Sequence, residues 1–259
     1  MDAMMQKLRI YICTHTDFKP LVKNPVYEVV DARQYNGDMC ANGLHGSFYS
    51  ELLMYKYVSE RKDLPEYVGF CGYRKYYSFR DDVPDMDAIF KEHDAIATTP
   101  MRIEPDVRGH YLHYHNGYDL DIVTDIIRND YPTLFPTFIQ SLSQKEFYAC
   151  NMFIVRRDDF LWLINTVFGI LDKYLEVVTA GIETEGDPIL ARIAAHKKDY
   201  HIGMEPSLTM EYEYRIGGYL GERIVNALLF HRFRNIKHYN MIVTRNAVSP
   251  RLPLTKASL

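Results

Sequence analysis

Tryptophan is almost missing from this chain, with one among 259 residues, and paired cysteines are missing altogether. Cys13, Cys40, Cys71 and Cys150 are scattered without a C-x-x-C pair, which argues against both a zinc site and a disulfide framework and makes a reducing cytosol the expected setting. There is no basic excess: the net charge is -4, so nothing points to a nucleic-acid partner. No apolar stretch approaches the roughly 20 residues of a membrane span. The protein is therefore expected to be soluble and cytoplasmic, at most peripheral to the cytoplasmic membrane. Residues 1–9 are polar and short, so no signal peptide is expected before the first strand. A Gly-rich phosphate loop of Walker type is also absent, which sets a nucleotide hydrolase or kinase aside. With no internal repeat, low-complexity segment or linker, a single domain over 1–259 is expected, its core about 8–243 and 249–259 a frayed tail.

What is present is ordinary globular composition, 47% hydrophobic and 25% charged, with 21 tyrosines as the unusual feature. Tyrosine joins a flat apolar face to a hydroxyl, which suits both sugar stacking and core packing. Tyr49, Tyr73, Tyr76 and Tyr77 are the candidates for stacking. The apolar run Tyr67-Val68-Gly69-Phe70-Cys71-Gly72 stops abruptly at Tyr73-Arg74-Lys75 and reads as a strand covered on both faces, delivering two cations to a sheet edge. Leu8–Thr14 and Val26–Asp31 read as two earlier strands ending on polar residues. Ser47 is placed as the cap of a helix to about Arg61, a short helix follows over Asp85–Glu92, and Asp94–Pro100 is a further strand. The order β-β-α-β-α-β predicts an α/β fold, three-layer α/β/α, with a mostly parallel mixed central sheet.

Farther on, Met101–Gly117 reads as irregular. Its His110, His113 and His115 match no zinc spacing, and no metal is expected there. Asp119 is read as capping a helix that stops before Pro132. Asn151–Val155 reads as a strand, followed by a long helix from Asp159 to about Val178. Asp187-Pro188 opens another helix. Gly217-Gly218 is placed before a last helix, Tyr219–Phe233, and Ile236–Val243 alternates like an edge strand.

In open α/β sheets ligands bind at the carboxyl ends of the strands. Thr14, His15, Asp31, Tyr73, Arg74, Lys75 and Asn151 are therefore the candidates for binding a nucleotide-sugar donor, with Arg74 suited to bidentate contact with phosphate and Lys75 to acting as a point charge. Glu222 is the leading candidate for a general base, with Asp119 and Asp121 in reserve. Gly218 and Gly221 are read as letting substrate approach Glu222, and Arg215 and Arg223 as orienting groups, with His115 beside them on the acceptor side. The competing reading of Glu222 is an acid in a first helical turn, favoured there by the helix dipole alone.

Four ordered blocks carry a family resemblance: Ile10-Tyr11-Ile12-Cys13-Thr14-His15, Tyr67–Lys75, Asn151–Val155 and Gly218-Tyr219-Leu220-Gly221-Glu222-Arg223. They resemble a bacterial family long described as a domain of unknown function in capsular and exopolysaccharide loci and associated with galactofuranosyl transfer. The resemblance implies a GT-A-like glycosyltransferase that uses a UDP-sugar donor and a glycan or lipid-linked oligosaccharide acceptor, without the usual Asp-x-Asp metal motif. The strand where that motif would lie ends in Tyr73-Arg74-Lys75 and holds no carboxylate, so two fixed cations stand in for the metal and no cofactor is expected. The family usually has histidine where this chain has Gly72. That departure keeps open an alternative, a catalytically inactive module that binds a nucleotide sugar or glycan.

Overall fold

The computed structural model describes residues 7–34, 46–196 and 210–244. The expected connection from Gln34 to Gly46 lies almost wholly outside them, as do Cys40 and the tail. In chain order the elements are β1 (Leu8–Thr14), β2 (Tyr27–Asp31), α1 (Leu52–Ser59), β3 (Tyr67–Gly72), β4 (Lys75–Tyr77), α2 (Met86–Glu92), β5 (Ala95–Thr98), β6 (Met101–Arg102), α3 (Val107–Tyr114), α4 (Gly117–Asp130) and α5 (Phe135–Leu142). Then come β7 (Glu146–Phe147), β8 (Phe153–Arg156), α6 (Arg157–Thr179), α7 (Pro188–Ala195), α8 (Met210–Tyr214), α9 (Ile216–Arg232), β9 (Ile236–Tyr239) and β10 (Met241–Val243).

The central sheet is ordered β2-β1-β3-β8-β5-β9, and a β4–β10 ribbon leaves the end of β3. β1 runs parallel to both β2 and β3, with Leu8–Cys13 in register with Tyr67–Gly72, and β5 runs parallel to β9. β8 is antiparallel to both β3 and β5. The carboxyl ends of β1, β2, β3 and β5 therefore share one edge with the amino end of β8.

Side chains alternate across this sheet and build two cores. On one face Tyr11, Cys13, Val68, Phe70, Ala97, Phe153 and Val155 pack with residues of α1, α6 and α9. On the other, Ile10, Ile12, Cys71, Ile96 and Ile154 pack with Met86 and Phe90 of α2 and with Tyr76 and Tyr77 of the ribbon. The result is the expected three-layer α/β/α arrangement with a mostly parallel mixed sheet.

Several boundaries differ from the sequence reading. Lys75–Tyr77 is a strand, paired to Met241–Val243, so the edge segment expected over Ile236–Val243 is two strands with different partners. The helix expected from Ser47 is split: a 3-10 turn covers Gly46–Tyr49, Ser50 takes a positive φ of 52°, and α1 starts at Leu52. The stretch read as irregular contains α3, capped by the Asp106 side chain accepting from the Gly109 amide. Asn116, not Asp119, caps α4. Gly217-Gly218 lies inside α9, which begins at Ile216 and has no acid in its first turn.

Candidate functional site

The turn between β7 and β8, Ala149–Asn151, carries an unusual backbone feature at the shared sheet edge. Cys150 and Asn151 are consecutive non-glycine residues with φ of 71° and 51°, a conformation that costs energy and persists only where the surroundings hold it. Here two carboxylates hold it. Glu222 Oε1 accepts from the Cys150 amide at 3.0 Å, and Glu51 Oε1 accepts from Asn151 Nδ2 at 3.0 Å. The Tyr55 hydroxyl donates to the Asn151 carbonyl at 2.9 Å. The Asn151 Oδ1 atom is buried with no hydrogen-bond partner.

Lys75 closes this cluster from β4, its Nζ donating to Cys150 Sγ at 2.9 Å. Desolvation, the largest influence on Lys75, works against its charge, but the Cys150 thiol and the Glu51 and Glu222 carboxylates outweigh it and the net shift is upward. Burial raises the Glu222 pKa above the usual carboxylate range; the neighbouring Arg223 pulls it down and Glu51 pushes it up. Glu222 nevertheless keeps 22% of its side chain exposed. A carboxylate both raised toward neutrality and reachable from solvent is suited to accept a proton. Because Glu222 lies in the second turn of α9, its position gives the dipole explanation little force.

Arg223 is buried behind Glu222. It donates to Glu222 Oε2 at 3.2 Å and to His110 Nδ1 at 3.0 Å, and lies over the rings of Tyr111 and Phe147. It backs the Glu222 carboxylate from within, and its Nε is buried without a hydrogen-bond partner. His115 stacks on Tyr219 (4.0 Å), and Tyr212 packs against both rings, 5.6 Å from His115 and 5.1 Å from Tyr219. Desolvation and the Arg223 charge lower its pKa to about 2, so its ring is neutral at any working pH. Arg215 is exposed, donates through Nε to Ser50 Oγ at 3.0 Å and lies over Tyr219.

At the ends of β1 and β3, His15 packs edge-on to Tyr73, and Arg74 lies 5.0 Å over the same ring. Desolvation and the charges of Arg215 and Arg74 lower the His15 pKa. Thr14 is turned inward: its hydroxyl donates to the Thr16 carbonyl and accepts from the Thr16 amide. Asp31 is gripped by Arg33, which also reaches Asp17, and that ion pair lowers the Asp31 pKa.

Thus Glu222, Arg223, Lys75 and Asn151 are joined through Cys150 and Glu51 in one bonded cluster, His15 and Arg74 share the ring of Tyr73, and Arg215 sits on Ser50 and Tyr219. Asp119 and Asp121 have other partners. Asp119 is buried, accepting from Arg192 Nη2 at 2.7 Å and from the Tyr174 hydroxyl at 2.7 Å, and Asp121 pairs on the surface with Arg108. Tyr49, Tyr73, Tyr76 and Tyr77 are all buried, so the expected sugar-stacking faces are packing faces. The glycines of α9 also have a different purpose. A Cβ on Gly217 would meet the Phe48 ring at 2.4 Å, on Gly218 Ser50 Oγ at 2.4 Å, and on Gly221 Leu52 at 2.2 Å. They let the 48–52 segment, not a substrate, approach the helix.

Sequence reasoning missed Glu51, Cys150 and His110. Glu51 has no local signal, since an acid ahead of an apolar helix reads as surface. Cys150 was discoverable only by its place just before a strand that starts at the ligand edge. Among the described residues no group of three or more His, Cys, Asp or Glu side chains is placed to hold a metal ion, and no helix is long and apolar enough to cross a membrane.

Among solved structures, the apo form of the bifunctional glycosyltransferase WbbM matches with a TM-score of 0.70 at 16% identity, over 95% of this chain and 48% of that one. At that identity the likeness is one of fold, and this chain spans about half the length of that protein. No curated protein matches the sequence. The model of a family described as a domain of unknown function, DUF4422, matches residues 9–186. That is well over half of the chain, and the protein belongs to the DUF4422 family.

Proposed function

We propose that the protein is a glycosyltransferase that moves a sugar from a UDP-sugar to a growing surface polysaccharide or lipid-linked glycan, with inversion and without a metal ion. Galactofuranose is the sugar suggested by the family resemblance, and the cytoplasmic face of the membrane is where such acceptors are reached. The observation that carries the reading is the Glu222–Cys150–Lys75 cluster at the carboxyl edge of the sheet: a raised, reachable carboxylate and a charged lysine bound to the same residue.

In the reaction the acceptor hydroxyl oxygen forms a bond to the anomeric carbon while the bond from that carbon to the β-phosphate oxygen breaks. The electron pair leaves with UDP, and the acceptor proton passes to Glu222. Lys75 and Arg74 meet the charge that develops on the leaving diphosphate. Arg223 keeps the Glu222 carboxylate oriented.

The test is purified protein with a panel of UDP-sugars and glycan acceptors, measuring UDP release and product. Acceptor-dependent UDP release is expected in the wild type. Glu222→Gln keeps the side chain's shape and loses the proton acceptor, so it should retain donor binding while turnover falls roughly 10²–10⁴-fold. Donor binding with no transfer to any acceptor would favour the inactive binding module, the reading raised by Gly72.

A further inference from the structure

Ser50, Cys150 and Asn151 are three of the four described non-glycine residues with positive φ, and the three belong to one constellation. Ser50 touches α9: Arg215 bonds its hydroxyl, and Gly218 leaves it room. Glu51, next in the chain, holds Asn151, while Glu222, one turn beyond Gly218, holds Cys150. Two carboxylates from separate elements thus grip adjacent residues of one left-handed turn, with the Lys75 ammonium on the thiol between them. We propose that Glu51 is a positioning residue for Glu222, fixing the 150–151 turn that orients it and setting a second carboxylate in the same cluster. This rests on the glycosyl-transfer reading for its kinetic consequence, though not for its electrostatic one.

Among the described residues, few charged and titratable groups face Glu222. They are Glu51 ahead of α1, Lys75 on β4, Cys150 in the turn, and Arg223 and Tyr219 on α9, with His110 of α3 reached through Arg223. Lys75 and Arg223 favour the ionised carboxylate, and Glu51 opposes it. Without Glu51 only burial opposes the two cations, and Glu222 becomes a weaker base. The sign follows: neutralising Glu51 lowers the pH at which Glu222 loses its proton.

Glu51→Gln separates charge from shape, because the glutamine carbonyl still accepts from Asn151 Nδ2. Carboxyl carbons of the full chain, labelled at glutamate, are titrated by NMR in the wild type and in Glu51→Gln, with Glu222→Gln identifying the resonance. The Glu222 titration is expected to move to lower pH in Glu51→Gln, and the acid limb of kcat/KM to move with it. Glu51→Ala, which also drops the Asn151 bond, is expected to lower kcat about tenfold further, as loss of one hydrogen bond's worth of orientation implies. An unchanged Glu222 titration in Glu51→Gln overturns the proposal whether or not the protein transfers sugar. A shifted titration in a protein that transfers nothing keeps the positioning role and overturns the proposed function instead.

Discussion

Arg74 is exposed over the ring of Tyr73, whereas Lys75 beside it is half-buried on the Cys150 thiol. The two cations therefore differ in what their removal does. Arg74→Ala leaves the packing intact and should weaken UDP affinity and kcat/KM together, by about 1.5–3 kcal/mol for a charge-assisted phosphate contact. Calorimetric titration with UDP checks this, and unchanged affinity would return Arg74 to the role of a surface cation. Asp119 is the opposite case. Its carboxylate is bonded to buried Arg192 and to Tyr174, and removing one partner leaves the other charge uncompensated. Asp119→Ala should cost about 3–5 kcal/mol of stability in denaturant melts. Any activity loss should follow unfolding and not appear in the folded fraction at low temperature.

At the scale of elements, the glycines give a prediction with an internal control. A Cβ on Gly217 would strike the ring of Phe48, which is fully buried and cannot swing aside. Gly217→Ala should therefore destabilise by about 1–3 kcal/mol, the usual cost of overpacking. Gly72 has nothing nearer to its would-be Cβ than Lys75 carbons at 3.9 Å, so Gly72→Ala should fall within about 0.5 kcal/mol of wild type. Thermal melts of the two variants side by side decide the matter; equal losses would contradict the close approach of α9 to the 48–52 segment. The same glycines show why parts of the site were hidden in the sequence. β1 and β3 were legible because continuous apolar runs are what a doubly covered strand requires. The α9 start was not, because glycine is a poor helix former and reads as a boundary, whereas tertiary packing places it inside. β4 escaped notice because three residues carry no period, and its tyrosines are buried by distant parts of the chain, against Ile10, Ile12 and Cys71. Glu222 and Lys75 could be picked from the sequence by residue type, but the Glu51–Asn151 contact joins residues 100 apart.

For the whole molecule, the question is how charge is met at the sheet edge. The protein is acidic overall, with 34 Asp and Glu against 30 Lys and Arg, yet Arg74 and Lys75 follow the end of β3 and Arg215 and Arg223 stand at the start of α9 and within it. Many of the remaining charges pair with one another at the surface, where each pair contributes little, as Lys7 with Asp87 and Lys145 with Glu104 do. Glycosyl transfer from a nucleotide diphosphate needs positive charge at the leaving group, from a divalent cation or from the chain. The segment that closes β3 carries Arg74 and Lys75 and no carboxylate of its own, and the Glu51 and Glu222 carboxylates share the Cys150–Asn151 turn with the Lys75 ammonium. Transfer should accordingly survive dialysis against EDTA at close to its untreated rate, and added manganese should not raise it by more than a small factor. The assay is sugar transfer before chelation, after it and after metal is restored. Complete loss on chelation, recovered with manganese, would mean that the diphosphate is met by an ion and that Arg74 and Lys75 have another purpose.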